Sequence, residues 1–481
     1  MNIATVALLS AVLTAGGTVH AHEGHTLPDM GEAVDSTLSP AAEQLLGSRF
    51  MQELRQRALF LDDPLIEYYL NSLGTRLVTA SGETLFPFHF QIIRDPQINA
   101  FAVPGGYVTV FSGLFLHTRN ESELAGVLAH EIAHGTQRHI ARMLAGQGRM
   151  TLPALAGFAA ALLLGAASPQ AAAAAAALGM AGTAQQQLNF TRDNEYEADR
   201  IGIQILTRSG IDPRGMVSFF EKLQRQEGSN PIAANEYLRT HPVTGNRVAE
   251  AYNRIEATPM PFRPASDSLD YGLARARLEV LVESQPQRLL DRLERNPHSE
   301  REIGEYQKAL CLLRLNRPTQ ARERLQALTR MKPGNIWYAM ALADAEEASG
   351  QPGAALKTLR ELDRLYPDNA ALISALGRLQ LRNDPAAAHT LLREAYRRHP
   401  DNARLAQGWA EAAGKLGREG ESHEALGTAF LLQNRLREAH HELEAAWSRN
   451  AADPVARARI DSRLKEIEEK IRLMESDKPA H

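Results

Sequence analysis

His130, Glu131 and His134 stand together in NESELAGVLAHEIAHGTQRHI, residues 120–140, in the order of a metal-dependent hydrolase. Two histidines four residues apart share one face of a helix, one turn above the other, so both imidazoles can bind a single ion from the same side. Glu131 is ionised at neutral pH and projects beside them, placed to take a proton from an attacking water. The chemistry this predicts is peptide-bond hydrolysis, with Glu131 catalytic and His130 and His134 ligating one Zn2+ per chain. The flanking residues predict a buried helix. Asn120 caps it, Glu123 completes a capping box, and Leu124, Val127, Leu128 and Ile132 form an apolar stripe.

A catalytic zinc needs a third protein ligand and an open position. The metzincin extension, glycine three and histidine six residues beyond the second zinc histidine, is excluded: Gln137 and Ile140 stand there, and His139 falls one residue early. The third ligand is expected from RDNEYEADRIGIQIL, residues 192–206. Glu195 and Asp199 lie one turn apart on the same helical face, and Ala198 keeps that face slim enough for close approach. Glu195 can then ligate the metal while Asp199 accepts the second N–H of a zinc histidine and sets its tautomer. Glu197 points away from both. The competing reading is an amphipathic helix with a solvated acidic face. His241 precedes Pro242, so it sits in extended backbone on a loop, as either a surface histidine or a further site residue.

These residues need elements to position them, and 481 residues suffice for two or three domains at roughly 100–200 each. An apolar fraction of 44% with 23% charged residues is that of a soluble globular protein, and a net charge of −4 offers nothing to nucleic acid. The one cysteine, Cys311, excludes an intrachain disulfide and lies in an apolar helical stretch as a core residue. Residues 1–21 read as a secretory signal, with an apolar core at 3–15, small residues up to Ala21 and no following cysteine for a lipid anchor. Residues 22–39 are expected to be a flexible N-terminus; their AHEGH start (Ala21–His25) looks metal-like but lacks the four-residue spacing.

Helical periodicity covers residues 40–80, with Asp63-Pro64 opening a second helix. From Phe86 the pattern turns to strands, FHFQIIRD and then INAFAVPGGYVTVFSG with a Gly-Gly turn. Pro104 cannot donate to a ladder, so Asn99, Ala100, Phe101, Ala102 and Val103 are expected to make an edge strand or the end of one. Such an edge could take up an extended peptide through its backbone, or merely support the catalytic helix. Residues 151–183 are the most apolar part of the chain. Leu152–Ala167 is short for a membrane span and Ser168-Pro169-Gln170 interrupts it, so a helical hairpin or lid over the active site is expected, with membrane-surface contact as the alternative.

A proline-rich linker, residues 258–268, ends the first domain, and the chain beyond it is helical and repetitive. Pro297, Pro333, Pro367 and Pro400 stand 36, 34 and 33 residues apart, and the last three begin PGN, PDN and PDN. In that register Ala309, Ala343 and Gly377 correspond, as do Ala321, Ala355 and Ala388, and Leu325, Leu359 and Leu392. Small residues at helix crossings with this period predict tetratricopeptide repeats. A further unit runs through His423–Trp447, and a charged amphipathic helix caps the C-terminus.

His130–His134, Glu195-Tyr196-Glu197-Ala198-Asp199 and Asn99 through Gly106 resemble the HtpX and CAAX-protease type of gluzincin metallopeptidase, with a weaker likeness over residues 62–74. Together with the repeats, nearly the whole chain resembles the periplasmic β-barrel assembly-enhancing protease subgroup. The resemblance implies an α+β, mostly α fold: a gluzincin-type metalloprotease domain with a small sheet over 40–257, then an all-α tetratricopeptide-repeat solenoid over 269–481. It implies a periplasmic location, unfolded or misassembled outer-membrane β-barrel proteins as substrates, contact with the β-barrel assembly machinery, no nucleic acid, and peripheral membrane contact at most. In the family a His-Pro followed five residues later by Arg lies near the active site, and His241 and Arg247 match it. His241 could stabilise an oxyanion, or occupy the fourth zinc position and close the site; the second is expected, because a protease loose in the envelope benefits from a gate. The rival class is a non-proteolytic chaperone or assembly scaffold with a plugged zinc site. Intact Glu131 argues against it. A membrane-embedded prenyl-type protease fails for want of long apolar spans.

Overall fold

A computed structural model describes residues 38–83, 85–145, 184–229, 236–258, 268–295 and 301–475. The expected signal, the AHEGH segment, the apolar stretch 151–183 and all but the ends of the linker lie outside the described residues. Among the described residues no helix is long and apolar enough to cross a membrane.

Helix α1 (Pro40–Arg57) begins at Ser39, whose hydroxyl accepts from Ala42 N–H, and α2 (Pro64–Ser81) at Asp63, whose carboxylate accepts from Ile66 N–H at 3.1 Å. Each has proline at its first position, where no N–H is needed. Strands β1 (His89–Ile93), β2 (Ala100–Val103) and β3 (Tyr107–Phe111) form a sheet in the order β1-β3-β2. β1 runs parallel to β3 and β2 antiparallel, in the register Ala100↔Val110 to Val103↔Tyr107. β2 is therefore an edge of the described sheet, and Pro104 stands just past its end, in the turn, where no ladder N–H is needed. The turn after it uses Gly105 and Gly106 at φ 82° and 86°, and a Cβ on Gly106 would lie 2.4 Å from the Pro87 carbonyl oxygen.

After α3 (Ser112–His117) comes α4 (Glu121–Thr136), the helix that carries His130 and His134. Its predicted apolar stripe is wholly buried: Leu124, Val127, Leu128 and Ile132 expose nothing. The capping box is half made. Asn120 Oδ1 accepts from Glu123 N–H at 2.9 Å, but the Glu123 carboxylate accepts from the Arg119 N–H and guanidinium instead of the Asn120 N–H. α4 stops at Arg138, a non-glycine residue at φ 51°, and α5 (His139–Ala145) follows at a new angle. α6 (Ala184–Ser209), α7 (Arg214–Ser229), α8 (Glu236–Thr240) and α9 (Gly245–Ala257) complete the unit around α4.

The rest is a stack of helix pairs from α10 (Leu269–Val282) to α21 (Pro454–Glu475). The PGN and PDN signatures have a local cause. Asn335, Asn369 and Asn402 cap α14 (Ile336–Ala348), α16 (Ala370–Asn383) and α18 (Ala403–Lys415), each accepting at 3.1 Å from the N–H three residues on. Gly334 and Asp368 before two of them take φ 81° and 70°. The small residues and leucines of the repeat register are buried at the crossings; a Cβ on Gly377 would meet Leu392 at 2.5 Å.

The first repeats pack directly on the N-terminal unit. Tyr69, Phe115 and Tyr271 stack in series at 6.1 and 5.8 Å, and Trp337 adjoins Tyr69 at 6.3 Å. Asp63 and Arg277 form a buried ion pair at 2.8 Å. Farther along, contact with the N-terminal unit is polar: Arg404 pairs with Asp62 and Glu67, and the Asn434 amide donates to the Ser48 carbonyl. Part of the solenoid surface is thus covered by the chain's own first unit.

Candidate metal centre and active site

α4 presents His130 and His134 on one face, as the four-residue spacing demands, and α6 crosses it with Glu195 and Asp199. Close approach is allowed by Ala198, fully buried, and by Gly202, where a Cβ would stand 3.4 Å from the backbone of Ala129 and His130. The two imidazoles face each other, Nε2 to Nε2, at 3.1 Å. The Glu195 carboxylate lies 3.3 Å from each of those nitrogens. His241 follows α8 directly and, unlike a surface-loop histidine, is buried, with Nδ1 3.4 Å from His130 Nε2 and 3.0 Å from Glu195 Oε1. One donor atom from each of His130, His134, Glu195 and His241 lies within 4.8 Å of the others. Glu131, also buried, approaches His241 Nε2 at 3.5 Å.

Behind this cluster the acidic pair is neutralised. Asp199 Oδ1 lies 3.1 Å from His130 Nδ1, the nitrogen that faces away from the cluster. Arg247, on α9, grips the Asp199 carboxylate through Nε and Nη2 at 2.7 and 2.8 Å, reaches Glu195 with Nη1 at 2.8 Å, and donates to the Pro242 carbonyl. Burial pushes the Glu195 and Asp199 carboxyls up. His241, His130 and His134 nevertheless hold Glu195 well below the carboxylate range, and Arg247 and His130 hold Asp199 down. Burial likewise pulls His130 down, yet the Asp199 and Glu195 carboxylates carry it up to about 9, while His134, with burial dominant and His130 and His139 beside it, falls to about 3. Two facing Nε2 atoms 3.1 Å apart, flanked by a carboxylate and a third imidazole, mark a place that a divalent cation fits in charge and donor type.

Three features escape the sequence reading. His139 turns back onto His134, Nδ1 to Nδ1 at 2.8 Å, and its Nε2 meets Glu197 Oε2 at 3.1 Å. Glu197 does point away from the Glu195 face, but toward this histidine and Arg142 at 2.7 Å; accepting from both holds it down to about 2. Tyr237 is fully buried, its ring 4.8 Å from that of His241, and its N–H donates to the Ile98 carbonyl at 3.1 Å, tying α8 to the start of β2.

A helix-borne histidine pair, an adjacent glutamate and an acidic residue from a second helix define a metallopeptidase site on a mostly helical α+β unit, followed by helical repeats. Residues 64–255 match the model of Peptidase family M48, and residues 312–379 that of a tetratricopeptide repeat. The β-barrel assembly-enhancing protease of Escherichia coli (strain K12) is 36% identical over 485 residues, 98% of this chain and 97% of that protein. The protein of the same name from Yersinia pestis is 40% identical over 340 residues, 69% of each chain. The mitochondrial metalloendopeptidase OMA1 of Schizosaccharomyces pombe is 31% identical over 180 residues, 37% of this chain and 50% of that one. The chain belongs to the β-barrel assembly-enhancing protease family, zinc metalloproteases of peptidase family M48 with tetratricopeptide repeats.

Proposed function

We propose that the chain is a periplasmic endopeptidase holding one Zn2+ on His130, His134 and Glu195, with Glu131 as its general base, and that it degrades misassembled outer-membrane β-barrel proteins and assists their assembly. The observation that carries this is the convergence of the two motif imidazoles and Glu195 within 3.3 Å of one another, with Glu131 on the same helix. A zinc ion there supplies Lewis-acid polarisation of the scissile carbonyl and lowers the pKa of water. Glu131 takes the proton of the attacking water and passes it to the leaving amine. Asp199 orients His130 from behind, and Arg247 offsets the charge of Asp199 and Glu195. The substrate lies extended along β2, where Ala100 and Ala102 turn their backbone groups away from β3. Asn99 Oδ1, buried and without a hydrogen-bond partner among the described residues, is a further acceptor for a substrate N–H. His241, among the donor atoms, acts as a gate that fills the fourth position until a substrate displaces it.

The relatives' shared name supports outer-membrane β-barrel proteins as substrates and the β-barrel assembly machinery as partner, with the repeats docking one or the other. The apolar leader supports export to the periplasm. Metal analysis together with casein digestion, by wild type and Glu131→Gln, tests the reading: about one zinc per chain in both and digestion only by wild type are expected, and protein without zinc overturns it. The position of His241 also suits a plugged, non-proteolytic scaffold. A Glu131→Gln strain that assembles outer-membrane proteins as wild type does would favour that reading.

A further inference from the structure

His139 is out of phase with the motif. Continued as one helix, α4 would carry a residue five beyond His134 roughly 140° around the axis, away from it. Arg138 prevents this by taking a left-handed conformation, φ 51°, that a non-glycine residue adopts only when its surroundings hold it there. The hold comes from α1 and the residues just before it: Arg138 Nε and Nη2 engage the buried Glu43 carboxylate, and Nη2 also donates to the Leu38 carbonyl at 2.8 Å. The bend swings His139 onto the back of His134.

We propose that His139 and Glu197 form a positioning relay that fixes the ring plane and tautomer of His134, doing for the second motif histidine what Asp199 does for the first. It deepens the metal reading and rests on it. His134 Nδ1 and His139 Nδ1 are 2.8 Å apart, and His139 Nε2 and Glu197 Oε2 are 3.1 Å apart. Glu197 is a pure acceptor and is also held by Arg142. It therefore takes the Nε2–H of His139, which leaves His139 Nδ1 as a lone pair. That lone pair accepts the Nδ1–H of His134, which in turn leaves His134 Nε2 unprotonated and directed at His130 Nε2 and Glu195. Each proton has one place, and the free pair at the end faces the metal position. His139 is thus a positioning residue, not a ligand.

The test is zinc affinity by chelator competition, with the visible spectrum of the cobalt-substituted protein as a second readout. His139→Leu, which removes the acceptor, is expected to weaken zinc binding about 10- to 100-fold and to alter the cobalt bands. His139→Asn puts an amide oxygen near the lost Nδ1 and is expected to recover most of the affinity. Wild-type affinity in the leucine variant, or equal weakening in both, overturns the relay. Should His139→Leu not fold, Glu197→Ala carries the test, and unchanged affinity there overturns the proposal. Wild-type protein that binds no zinc refutes the metal reading itself, so the two failures are distinguishable.

Discussion

Arg247 grips Asp199 with a two-pronged fork, Nε and Nη2 at 2.7 and 2.8 Å, and the same guanidinium reaches Glu195 at 2.8 Å. Two buried carboxylates on successive turns of α6 would otherwise repel across a dry interior. Arg247→Ala strands both, and breaking a buried ion pair from one side costs about 3–5 kcal/mol. A lower denaturation midpoint and loss of zinc on dialysis are expected. Arg247→Lys should recover little of either, because one ammonium cannot reproduce the fork. A stable, zinc-replete alanine variant would remove Arg247 from the site's architecture.

His241 has Nδ1 3.0 Å from Glu195 Oε1 and Nε2 3.5 Å from Glu131 Oε1, so it lies between the proposed third ligand and the proposed base. If it is a gate, His241→Ala should digest unfolded substrate faster with its zinc retained. A tenfold rise would correspond to a gate held shut by about 1.4 kcal/mol. The opposite result, zinc retained and turnover lost, would assign His241 to oxyanion stabilisation instead.

Much of this site is readable wherever one element's periodicity decides it. His130 with His134, and Glu195 with Asp199, share faces because four residues make one turn, and Pro104 marks the end of β2 because it has no N–H for a ladder. The repeat helices were equally legible, since the asparagine of each PGN or PDN is a cap that acts only three residues ahead. His139 was not, because its direction depends on Arg138 at φ 51°, held by a glutamate 95 positions earlier. The burial of His241 was hidden for the same reason: besides Tyr237 on the preceding turn, it rests on His130 and Glu195 from distant helices. The capping box half failed because Arg119, just outside the helix, offers Glu123 both its backbone N–H and its guanidinium, a two-point partner that replaces the single Asn120 N–H.

Asp63 joins the two parts of the chain, capping α2 while it pairs with Arg277 of α10. Burial pushes its carboxyl up, but Arg277, the Ile66 N–H and Arg404 hold it below the usual range. The unfolded chain therefore binds its proton at higher pH than the folded one. The pair's contribution is complete above the ordinary aspartate pKa of about 4 and fades as pH falls through the lower folded value. Urea midpoints should drop along that acid limb, and Asp63→Asn should flatten the dependence. At neutral pH the same variant should lose about 3–5 kcal/mol by leaving Arg277 buried and unpaired. A pH profile identical to wild type would mean that the junction does not rely on this charge.

The edge of β2 away from β3, proposed above as the substrate track, is buried along its length but has no backbone partner at Ala100 or Ala102 among the described residues. Asn99, whose carbonyl accepts from Phe111 N–H, is followed by alternation along the strand, so Ala100 and Ala102 direct their N–H and C=O away from β3. The preceding outward acceptor, the Ile98 carbonyl, is already taken by Tyr237 N–H, so a docking peptide has Ala100 and Ala102 to pair with. Ala102→Pro removes an outward donor without touching a β2–β3 bond, and proline is tolerated on an edge. Losing one substrate hydrogen bond should lower kcat/KM on an unfolded protein roughly three- to tenfold, with zinc content and fold unchanged. If turnover by a folded Ala102→Pro variant matches wild type, β2 does no more than support α4, and the substrate must reach Glu131 by another path.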